Sequence, residues 1–477
     1  MRRKDVKIVL VNPPLPSGVS RHEPSIPIGL AYLASVVERN GYAVKVVDCP
    51  PLDMDYDTMK REVSSFNPTI IGITSMTSTF PSALQAAYVL KESCPGALTL
   101  LGGPHVTFMD ITTLKEHQNI DIVVRKEGEE TLLELLRCWV EEKTFDRVAG
   151  ITFRKNRKIV RTSDRPFIQN LDKLPYPAYH LFPLEKYRLR GRIFRKTVLP
   201  IMTSRGCPFR CSFCLASKMV GRMLRVRTPK SVVDELEWLR DEHGAEAFSF
   251  YDDTLTFNKE RCYEIFEQMR RRRVDLPWNC QTRTDLVSKE LLVAMKRAGC
   301  QFVSFGVESG SPKLLKAMGK GTTVKINEKA VKLAKEAGLL VGVSIIIGYP
   351  GESTETLNET FAFIERVKPD AVYLCTPAPY PGTELYELVK DLGWKMFEDW
   401  TKYNTVNFAF ENPSLPNEFV EKMREKFYDS FYSHRYILRH FCKGNLYSGI
   451  MARTALNHYL WRIRNKFKRG NSRIDKF

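Results

Sequence analysis

The sequence predicts an α/β protein in which two successive stretches of alternating strands and helices are followed by a helical tail. Residues 1–146 contain five short apolar runs rich in β-branched side chains, and residues 196–395 contain six. Amphipathic helical patterns separate most of these runs, and such alternation is typical of parallel sheets with crossover helices. Hydrophobic residues make up 43 % of the chain, which is enough for a packed core.

The first stretch, residues 1–146, predicts a doubly wound, Rossmann-like sheet. Ligands of such sheets bind at the carboxyl ends of the strands. The helical patterns lie at about 28–38, 57–66, 80–93 and 130–141. The predicted strands are Lys7–Asn12, Ala43–Asp48, Thr69–Thr74, Ala97–Leu101 and Asp121–Val124.

Residues 147–195 predict a connector between the two stretches. An apolar run after Gly150, a basic turn and a second run after Lys158 indicate a small hairpin. Two prolines fall within Leu174–Tyr179, and proline interrupts regular helices. We therefore expect the interdomain linker there.

The second stretch, residues 196–395, predicts a partial (β/α)6 barrel. Active sites of such barrels lie at the C-terminal ends of the strands. The helical patterns lie at about 230–241, 259–271, 288–298, 324–338 and 354–367. The predicted strands are 197–203, 246–252, 278–282, 301–307, 341–347 and 371–376.

Residues 396–477 predict a helical region that is both aromatic and basic. Helical patterns cover Glu421–Arg439 and Leu446–Phe467. From His434 to Phe477 there are 11 Lys or Arg residues and one acid, Asp475, within a chain of net charge +18. The tail is compatible with packing on the barrel as a lid or with contact to an anionic membrane surface. Nucleic-acid binding is least favoured, because no recognition motif accompanies the charge.

Composition predicts an intracellular protein. The 11 cysteines are odd in number and three are clustered, which favours a reducing compartment over a disulfide framework. The apolar run Val6–Val11 is too short for a signal peptide core. No uncharged apolar stretch reaches the length of about 18 residues that a transmembrane helix needs. We expect a cytoplasmic protein, with peripheral membrane contact through the tail as an alternative.

The most specific signal is the spacing C-x3-C-x2-C formed by Cys207, Cys211 and Cys214. Thiolates are soft ligands that favour zinc or iron–sulfur clusters, and a triplet at this spacing arises by chance in roughly 0.6 % of chains with this cysteine content. Structural zinc sites and ordinary cubane clusters use four protein ligands. Three close cysteines therefore predict a cluster with one iron left open. The alternatives are a zinc site completed by a remote His or Cys, and buried structural thiols.

With Phe213 before the third cysteine and Gly206-Cys207-Pro208 at the entry turn, this stretch resembles the radical S-adenosylmethionine (SAM) enzymes. The resemblance implies a 4Fe–4S cluster on the three cysteines, with SAM on its open iron. It also implies reductive cleavage of SAM to a 5′-deoxyadenosyl radical, with a reduced flavodoxin- or ferredoxin-type protein as electron donor. Phe213 is expected near the adenine.

The same resemblance assigns SAM contacts to the ends of the other barrel strands. Asp253 is expected near the SAM amino group, and Glu308 and Ser309 suit the ammonium and ribose. Glu308 and Arg283 are also compatible with structural ion pairs, and Glu352 is expected to partner a helix N-terminus rather than SAM. The expected SAM-binding residues are Phe213, Asp253, Arg283, Glu308, Ser309, Ile346 and Gly348.

The strand ends of the first stretch resemble those of the cobalamin-binding domain that precedes many radical SAM domains. Asn12-Pro13-Pro14 follows strand one and Gly102-Gly103-Pro104-His105 follows strand four, while Lys126 replaces the first glycine of a Gly-Glu-Gly-Glu-like element. The resemblance implies cobalamin with its base tail beside the glycine pair. It implies no histidine on cobalt, because His22 lacks the Asp and Gly of D-x-H-x-x-G. Ordinary turn chemistry is the alternative. The expected contacts are Pro14, Ser75, Thr77, Gly102, Gly103, Pro104, His105, Glu127 and Gly128.

Together the two resemblances predict a cobalamin-dependent radical SAM enzyme that methylates an unactivated carbon of a small-molecule or lipid intermediate. A radical cyclase, ring-modifying or carbon–carbon-coupling enzyme of lipid or tetrapyrrole biosynthesis is the alternative within this class. A methylthiotransferase is less favoured, because Cys49, Cys94 and Cys138 are too scattered to form a second cluster. Outside the class stand a zinc-binding RNA module and a non-catalytic cobalamin or redox sensor.

Overall fold

Two seven-stranded sheets follow one another along the chain in the computed structural model, which describes residues 3–16, 25–190 and 195–474. The strands of the first sheet are β1 (Lys7–Asn12), β2 (Ala43–Asp48), β3 (Ile70–Thr74), β4 (Leu98–Gly102), β5 (Ile122–Val124), β6 (Ile151–Lys155) and β7 (Lys158–Arg161). Their order is β2-β1-β3-β4-β5-β6-β7, and β1 to β5 are parallel. The strand order reverses between β1 and β3, which is where doubly wound sheets bind ligands.

Helices cover both faces of this sheet. They are α1 (Ile28–Arg39), α2 (Tyr56–Ser65), α3 (Phe80–Ser93), α4 (Pro104–Phe108), α5 (Asp110–Glu116) and α6 (Glu129–Val140). Because side chains alternate along a strand, β1 places Ile8 and Leu10 in the core beneath α1 and α6. Val9 and Val11 face α2 and α3 on the other side. The predicted doubly wound sheet is confirmed, with α4 and α5 as additions that the sequence patterns did not indicate.

The β6–β7 hairpin, which the sequence pattern assigns to a connector, extends the first sheet. β6 pairs antiparallel with β5, and Arg125 at the end of β5 donates to Thr152 Oγ1 over 2.6 Å. The segment that follows lies between the two sheets, where the Ala178 amide donates to the Ala31 carbonyl over 3.0 Å. The boundaries proposed at 146/147, 195/196 and 395/396 stay predictions.

The second sheet contains the six parallel strands that the sequence predicted. Its order is β16-β15-β14-β13-β12-β9-β8, and only β8 runs antiparallel to its neighbour. A two-stranded ribbon, β10 with β11, brackets the three clustered cysteines. The bounds are β8 (Arg188–Arg190), β9 (Arg195–Ile201), β10 (Ser204–Arg205), β11 (Arg225–Val226), β12 (Ala247–Phe250), β13 (Trp278–Thr282), β14 (Cys300–Glu308), β15 (Leu340–Ile346) and β16 (Ala371–Cys375).

Short polar side chains begin most of the helices of this half. Thr228, Asn258, Ser288, Thr323 and Ser353 each accept a hydrogen bond from a backbone amide of the first helical turn. Such caps satisfy amides that have no partner within the helix. The helices are α7 (Ala216–Met219), α8 (Pro229–His243), α9 (Lys259–Arg271), α10 (Lys289–Arg297), α11 (Pro312–Ala317), α12 (Val324–Glu336), α13 (Thr354–Val367) and α14 (Glu384–Asp391).

The C-terminal region packs on the barrel through α15 (Asn417–Phe431), α16 (His434–Phe441) and α17 (Leu446–Ile474). Phe427 stacks on Phe361 of α13, with ring centroids 5.0 Å apart. Tyr447 stacks on Phe302 and accepts a hydrogen bond of 2.7 Å from Asn279 at the base of the barrel. Phe427 and Tyr447 thus pack the tail against the barrel. Among the helices described, none has an apolar stretch long enough to traverse a bilayer.

Candidate functional site

The three clustered cysteines lie on the loop after β9, at the C-terminal end of the barrel sheet. All three are free and half-buried. Gly206 begins the loop with a φ of 107°, and a Cβ there would collide with the Met223 carbonyl oxygen. The Cys207 amide donates to the Gly221 carbonyl over 3.0 Å. The loop therefore closes on residues 221–223, and only glycine fits at its entry.

A buried carboxylate anchors the start of this loop. Asp252, two residues after β12, accepts a hydrogen bond of 2.8 Å from the Thr203 hydroxyl and another from the Ser204 hydroxyl. Arg261 of α9 donates to the Thr203 carbonyl over 2.8 Å. Burial raises the pKa of Asp252, while the hydroxyl donors oppose that rise. This arrangement fixes the direction in which the chain enters the cysteine loop.

The far end of the loop is held by the C-terminus of α11 and by the turn after β15. The Ser212 amide donates to the Met318 carbonyl over 3.0 Å, and the Ser212 hydroxyl lies 2.7 Å from the Tyr349 hydroxyl. Phe213 packs in an apolar cluster that contains Ile346, Tyr349 and Leu314. The structure thus brings together two of the predicted SAM-binding residues, Phe213 and Ile346.

Arg283 is a charged residue that contacts one of the clustered cysteines. Its Nη1 lies 3.7 Å from Cys211 Sγ, and its guanidinium carbon lies 3.6 Å from the centre of the Phe209 ring. It also pairs with Asp285 at 2.8 Å and donates to the Lys320 carbonyl over 2.6 Å. Arg283 therefore carries a positive charge to the loop while being held by structural partners.

Glu308 is buried at the end of β14 in a left-handed backbone conformation, with a φ of 66°. Its carboxylate pairs with Lys320 over 2.7 Å. Glu308 and Arg283 thus both form ion pairs, as considered from sequence, while their contacts with SAM stay predictions. A non-glycine residue with such a φ costs free energy, and residues of this kind cluster at functional sites.

Three other expected SAM contacts, Asp253, Gly348 and Ser309, have different surroundings. Asp253 lies beside the loop with part of its side chain open to solvent, and partial desolvation of its carboxylate, with Asp252 adding to it, raises the pKa of Asp253. Gly348, with a φ of 88°, lies against Phe408. Ser309 is fully buried, and its hydroxyl lies 3.1 Å from Thr360 of α13, which turns it toward that helix.

Glu352 does not cap α13, contrary to the expectation from sequence. Ser353 and Thr356 form the capping box of that helix. Glu352 instead accepts a hydrogen bond from the Gly348 amide, and its other carboxyl oxygen has no partner among the described residues. Burial raises the pKa of Glu352 to about 7. It braces the turn after β15.

Three free thiols on one short loop, Cys207, Cys211 and Cys214, form a donor set that a metal cluster can use. Burial raises the pKa of all three thiols, that of Cys214 to about 12, so that a thiolate there needs a compensating positive charge. Metal coordination deprotonates thiols in this way. Within the described part of the chain, no three His, Cys, Asp or Glu side chains converge on a point that one metal ion could occupy. A cubane cluster binds its cysteines through separate irons, so three thiols that hold one need not converge on a single point.

At the edge of the first sheet, several predicted cobalamin contacts lie side by side. The Ser75 amide donates to the Gly102 carbonyl over 2.8 Å, and Gly103, with a φ of 115°, presses against the Ser75 backbone where a Cβ would collide. Thr77 and Pro14 are buried at the neighbouring strand ends, and Pro104 begins α4. Pro14 and Ser75 follow β1 and β3, so the cluster lies where the strand order reverses.

His105 is buried at this edge without a hydrogen-bond partner for either ring nitrogen among the described residues. Its ring lies 4.1 Å from that of Phe80 and 4.7 Å from that of Trp400, measured between centroids. Burial lowers the pKa of His105 to about 3, so the ring stays neutral. Two unpaired buried ring nitrogens beside the glycine pair fit a polar ligand such as cobalamin. His22 lies outside the described residues.

Glu127, whose contact with cobalamin stays a prediction, has three protein partners in the structure. It pairs with Arg205 of β10 at 3.2 Å and with Arg225 of β11 at 2.9 Å, and it accepts from the Ile168 amide over 2.8 Å. Glu129 completes the network by pairing with Arg205 at 2.6 Å. These buried charges fasten the first sheet to the ribbon that brackets the cysteines. The adjacent Gly128 lies against Leu33 of α1.

The strands of the second sheet alternate apolar residues toward the helices with polar or small residues toward the barrel interior. A Cβ on Gly342 would meet the rings of Phe302 and Tyr373, which shows that these side chains share the inner face. The period of two along each strand could have identified this set from sequence. The polar side chains on the inner positions are Ser249, Asn279, Gln281, Ser304, Ser344 and Tyr373.

Two family models match the chain. The radical SAM superfamily matches residues 201–364, and the B12 binding domain matches residues 18–136. The first includes the cysteine loop and the second includes the edge formed by Ser75, Gly102 and Gly103. These matches establish the predicted cofactors, a 4Fe–4S cluster with SAM and cobalamin.

Relatives match nearly the whole chain. An uncharacterised methyltransferase of Pyrococcus horikoshii is 36 % identical over 431 residues, which are 90 % of this chain and 93 % of the relative. An anaerobic magnesium-protoporphyrin IX monomethyl ester cyclase of Rubrivivax gelatinosus is 34 % identical over 389 residues, or 80 % and 69 % of the two chains.

The solved structure of TsrM, a radical SAM methyltransferase from Kitasatospora setae with cobalamin and a 4Fe–4S cluster bound, matches with a TM-score of 0.71. The identity is 20 %, and the match covers 91 % of this chain and 89 % of that one. At this identity the match establishes a shared fold. The chain belongs to the radical SAM enzymes that carry an N-terminal B12-binding domain.

Proposed function

We propose that this chain is a cobalamin-dependent radical SAM enzyme that methylates an unactivated carbon of a small biosynthetic molecule. The observation that carries the proposal is the buried ion network between Glu127, Arg205 and Arg225. It holds the ligand edge of the B12-binding half against the ribbon that flanks the cysteine loop. A methyl donor on one side and a radical source on the other side would then share one enclosed space.

We assign the residues as follows. Cys207, Cys211 and Cys214 hold the cluster, and Phe213, Ile346 and Gly348 line the adenine side of SAM. Asp253 faces the SAM amino group, while Arg283 and Glu308 hold the loops around it. Once bound, the cluster with SAM supplies a 5′-deoxyadenosyl radical and cobalamin supplies the methyl group. The protein itself orients these groups and keeps water away.

Cobalamin lies, in this proposal, at the edge formed by the residues after β1, β3 and β4. Ser75, Gly102 and Gly103 form its backbone cradle, and His105 offers ring nitrogens to the base tail. The remaining proposed cobalamin contacts are Pro14, Thr77, Pro104 and Gly128. Glu127 supports the cobalamin site indirectly, through its ion pairs with Arg205 and Arg225.

Anaerobic reconstitution with iron, sulfide, cobalamin and SAM tests the proposal. With the substrate present, each turnover should yield one 5′-deoxyadenosine and one S-adenosylhomocysteine, quantified by mass spectrometry. The variant Cys211→Ala should lose bound iron and both products, while Cys442→Ala, at an exposed cysteine outside the loop, should keep them. Formation of 5′-deoxyadenosine alone would refute methyl transfer.

Radical cyclisation is the second candidate, and the similarity to the magnesium-protoporphyrin cyclase favours it. In this case cobalamin donates no methyl group, so S-adenosylhomocysteine should not accumulate with product. The ratio of the two SAM products, measured with cell extract as the source of substrate, therefore separates the candidates. Extracts of a deletion strain, compared by mass spectrometry, would supply the substrate itself.

We also propose a cytoplasmic enzyme whose tail makes peripheral contact with anionic membranes, and exposed apolar residues of the tail support the contact. Leu438 and Phe441 of α16 are 63 % and 42 % exposed, and Leu456 of α17 is 44 % exposed. Arg435 and Lys443 accompany them, as in interfacial helices. Sedimentation with vesicles containing phosphatidylserine should carry the chain down, and Leu438→Asp with Phe441→Asp should release it. Equal sedimentation of both proteins would exclude this contact.

A further inference from the structure

A basic surface lies on α11 and α12, beside the cysteine loop. Between Pro312 and Lys335 the sequence contains seven lysines and one acid, Glu328. Glu328 is neutralised by an ion pair with Arg366. The exposed lysines of this basic surface are Lys313, Lys316, Lys325, Lys329 and Lys332.

An open cavity of about 920 Å³ indents the basic surface. Pro312, Leu315 and Val324 give it an apolar floor, and Lys316 and Lys325 stand at its wall. An apolar centre with a charged rim is the usual composition of a protein–protein contact. The sign of the rim selects a partner that carries acidic groups.

The inner wall of this cavity is the segment that supports the cysteine loop. The Arg210 carbonyl lies 3.1 Å from the position that a Cβ of Gly319 would occupy. Met318 accepts the Ser212 amide over 3.0 Å. Arg283 joins the Lys320 carbonyl, at 2.6 Å, to Cys211 Sγ, at 3.7 Å. One layer of residues therefore separates the cavity from the cysteines.

We propose that the basic surface is the docking site of an acidic electron-carrier protein that reduces the cluster. This inference rests on the proposed function and names the partner of the same site. One electron passes from a reduced flavin or iron–sulfur centre of the carrier to the cluster. The carrier is thereby oxidised by one electron, and no atom is transferred. A carrier bound at the lysines would lie one layer of residues, formed by Met318, Gly319 and Arg283, away from the cysteine loop.

Binding of a purified acidic flavodoxin to the reconstituted full-length chain tests the proposal. The variant Lys316→Glu/Lys325→Glu reverses two charges at the cavity. The matched variant Lys60→Glu/Lys115→Glu reverses two exposed lysines on α2 and α5 of the first half. We expect the cavity variant to bind flavodoxin about tenfold or more weakly, and the matched variant to bind as the unchanged chain does. Raising the salt concentration should reduce this difference.

A second measurement separates docking from chemistry. SAM cleavage driven by flavodoxin should fall in the cavity variant, whereas cleavage driven by titanium(III) citrate should stay unchanged. Equal binding by both variants, or equal weakening in both, would overturn the docking site. So would an unchanged flavodoxin affinity combined with lost binding of an RNA oligonucleotide. If the unchanged chain cleaved no SAM even with titanium(III) citrate, the proposed function would fail. The binding comparison would still show whether flavodoxin docks on the basic surface.

Discussion

Single residues show where local spacing is informative and where it is not. Cys207, Cys211 and Cys214 could be selected from eight residues of sequence, and Phe213 and Ile346, predicted for the same cofactor, do share one apolar cluster. Glu127 could be selected too, but not its partners, because Arg205 and Arg225 lie 78 and 98 residues away along the chain. Pairing over such distances depends on how two sheets dock, and no local pattern encodes it.

The variant Glu127→Gln should destabilise the protein by about 3 kcal/mol, because it leaves Arg205 and Arg225 buried without their shared counter-charge. Chemical denaturation measures this loss. The matched variant Glu130→Gln changes an exposed neighbour and should cost little. Equal stability of the two variants would show that the network does not fasten the halves.

At the scale of elements, strands are easier to predict than their partners. All eleven predicted parallel strands are present, because buried β-branched runs bounded by turns are a strong signal. The β6–β7 hairpin resembles a connector in sequence, since edge pairing with β5 leaves no trace in composition. The single helix predicted for Glu421–Arg439 is two helices in the structure, α15 and α16. The break at Tyr432–Ser433 was missed because the spacing of the aromatic residues continues across it. The short helices α4 and α5 were not predicted, because their polar residues interrupt the apolar period of a helix.

The cysteine loop as an element depends on Gly206. The variant Gly206→Ala places a Cβ against the Met223 carbonyl at a φ of 107°, which costs about 1–3 kcal/mol in backbone strain alone. We expect bound iron, measured per chain after reconstitution, to fall several-fold while circular dichroism stays unchanged. Gly244→Ala, at the positive-φ end of α8 with open space around it, provides the control. Full iron content in the Gly206 variant would show that the loop tolerates another entry turn.

At the scale of the whole molecule, the two halves share one interior. A single apolar cluster runs from Leu10 and Leu30 through Tyr179 of the connector to Leu199 and Phe248 of the barrel. Residues beyond the last barrel strand also contact the first half. The ring of Phe108 lies against Gly382 beyond the last barrel strand, and Trp400 covers His105. The two family models match separate parts of the chain, residues 18–136 and 201–364, but these parts share one apolar core.

This continuity predicts that a ligand of the first half stabilises the second. Cobalamin at 100 times its dissociation constant should add about 2.7 kcal/mol to the free energy of unfolding. Because the core is shared, calorimetry should show one transition that moves upward by a few degrees as a whole. Cobinamide, which lacks the base tail, should produce a smaller shift, since it leaves the space beside Gly103 and His105 unfilled. Two separate transitions, of which only one responds to cobalamin, would show that the halves unfold independently.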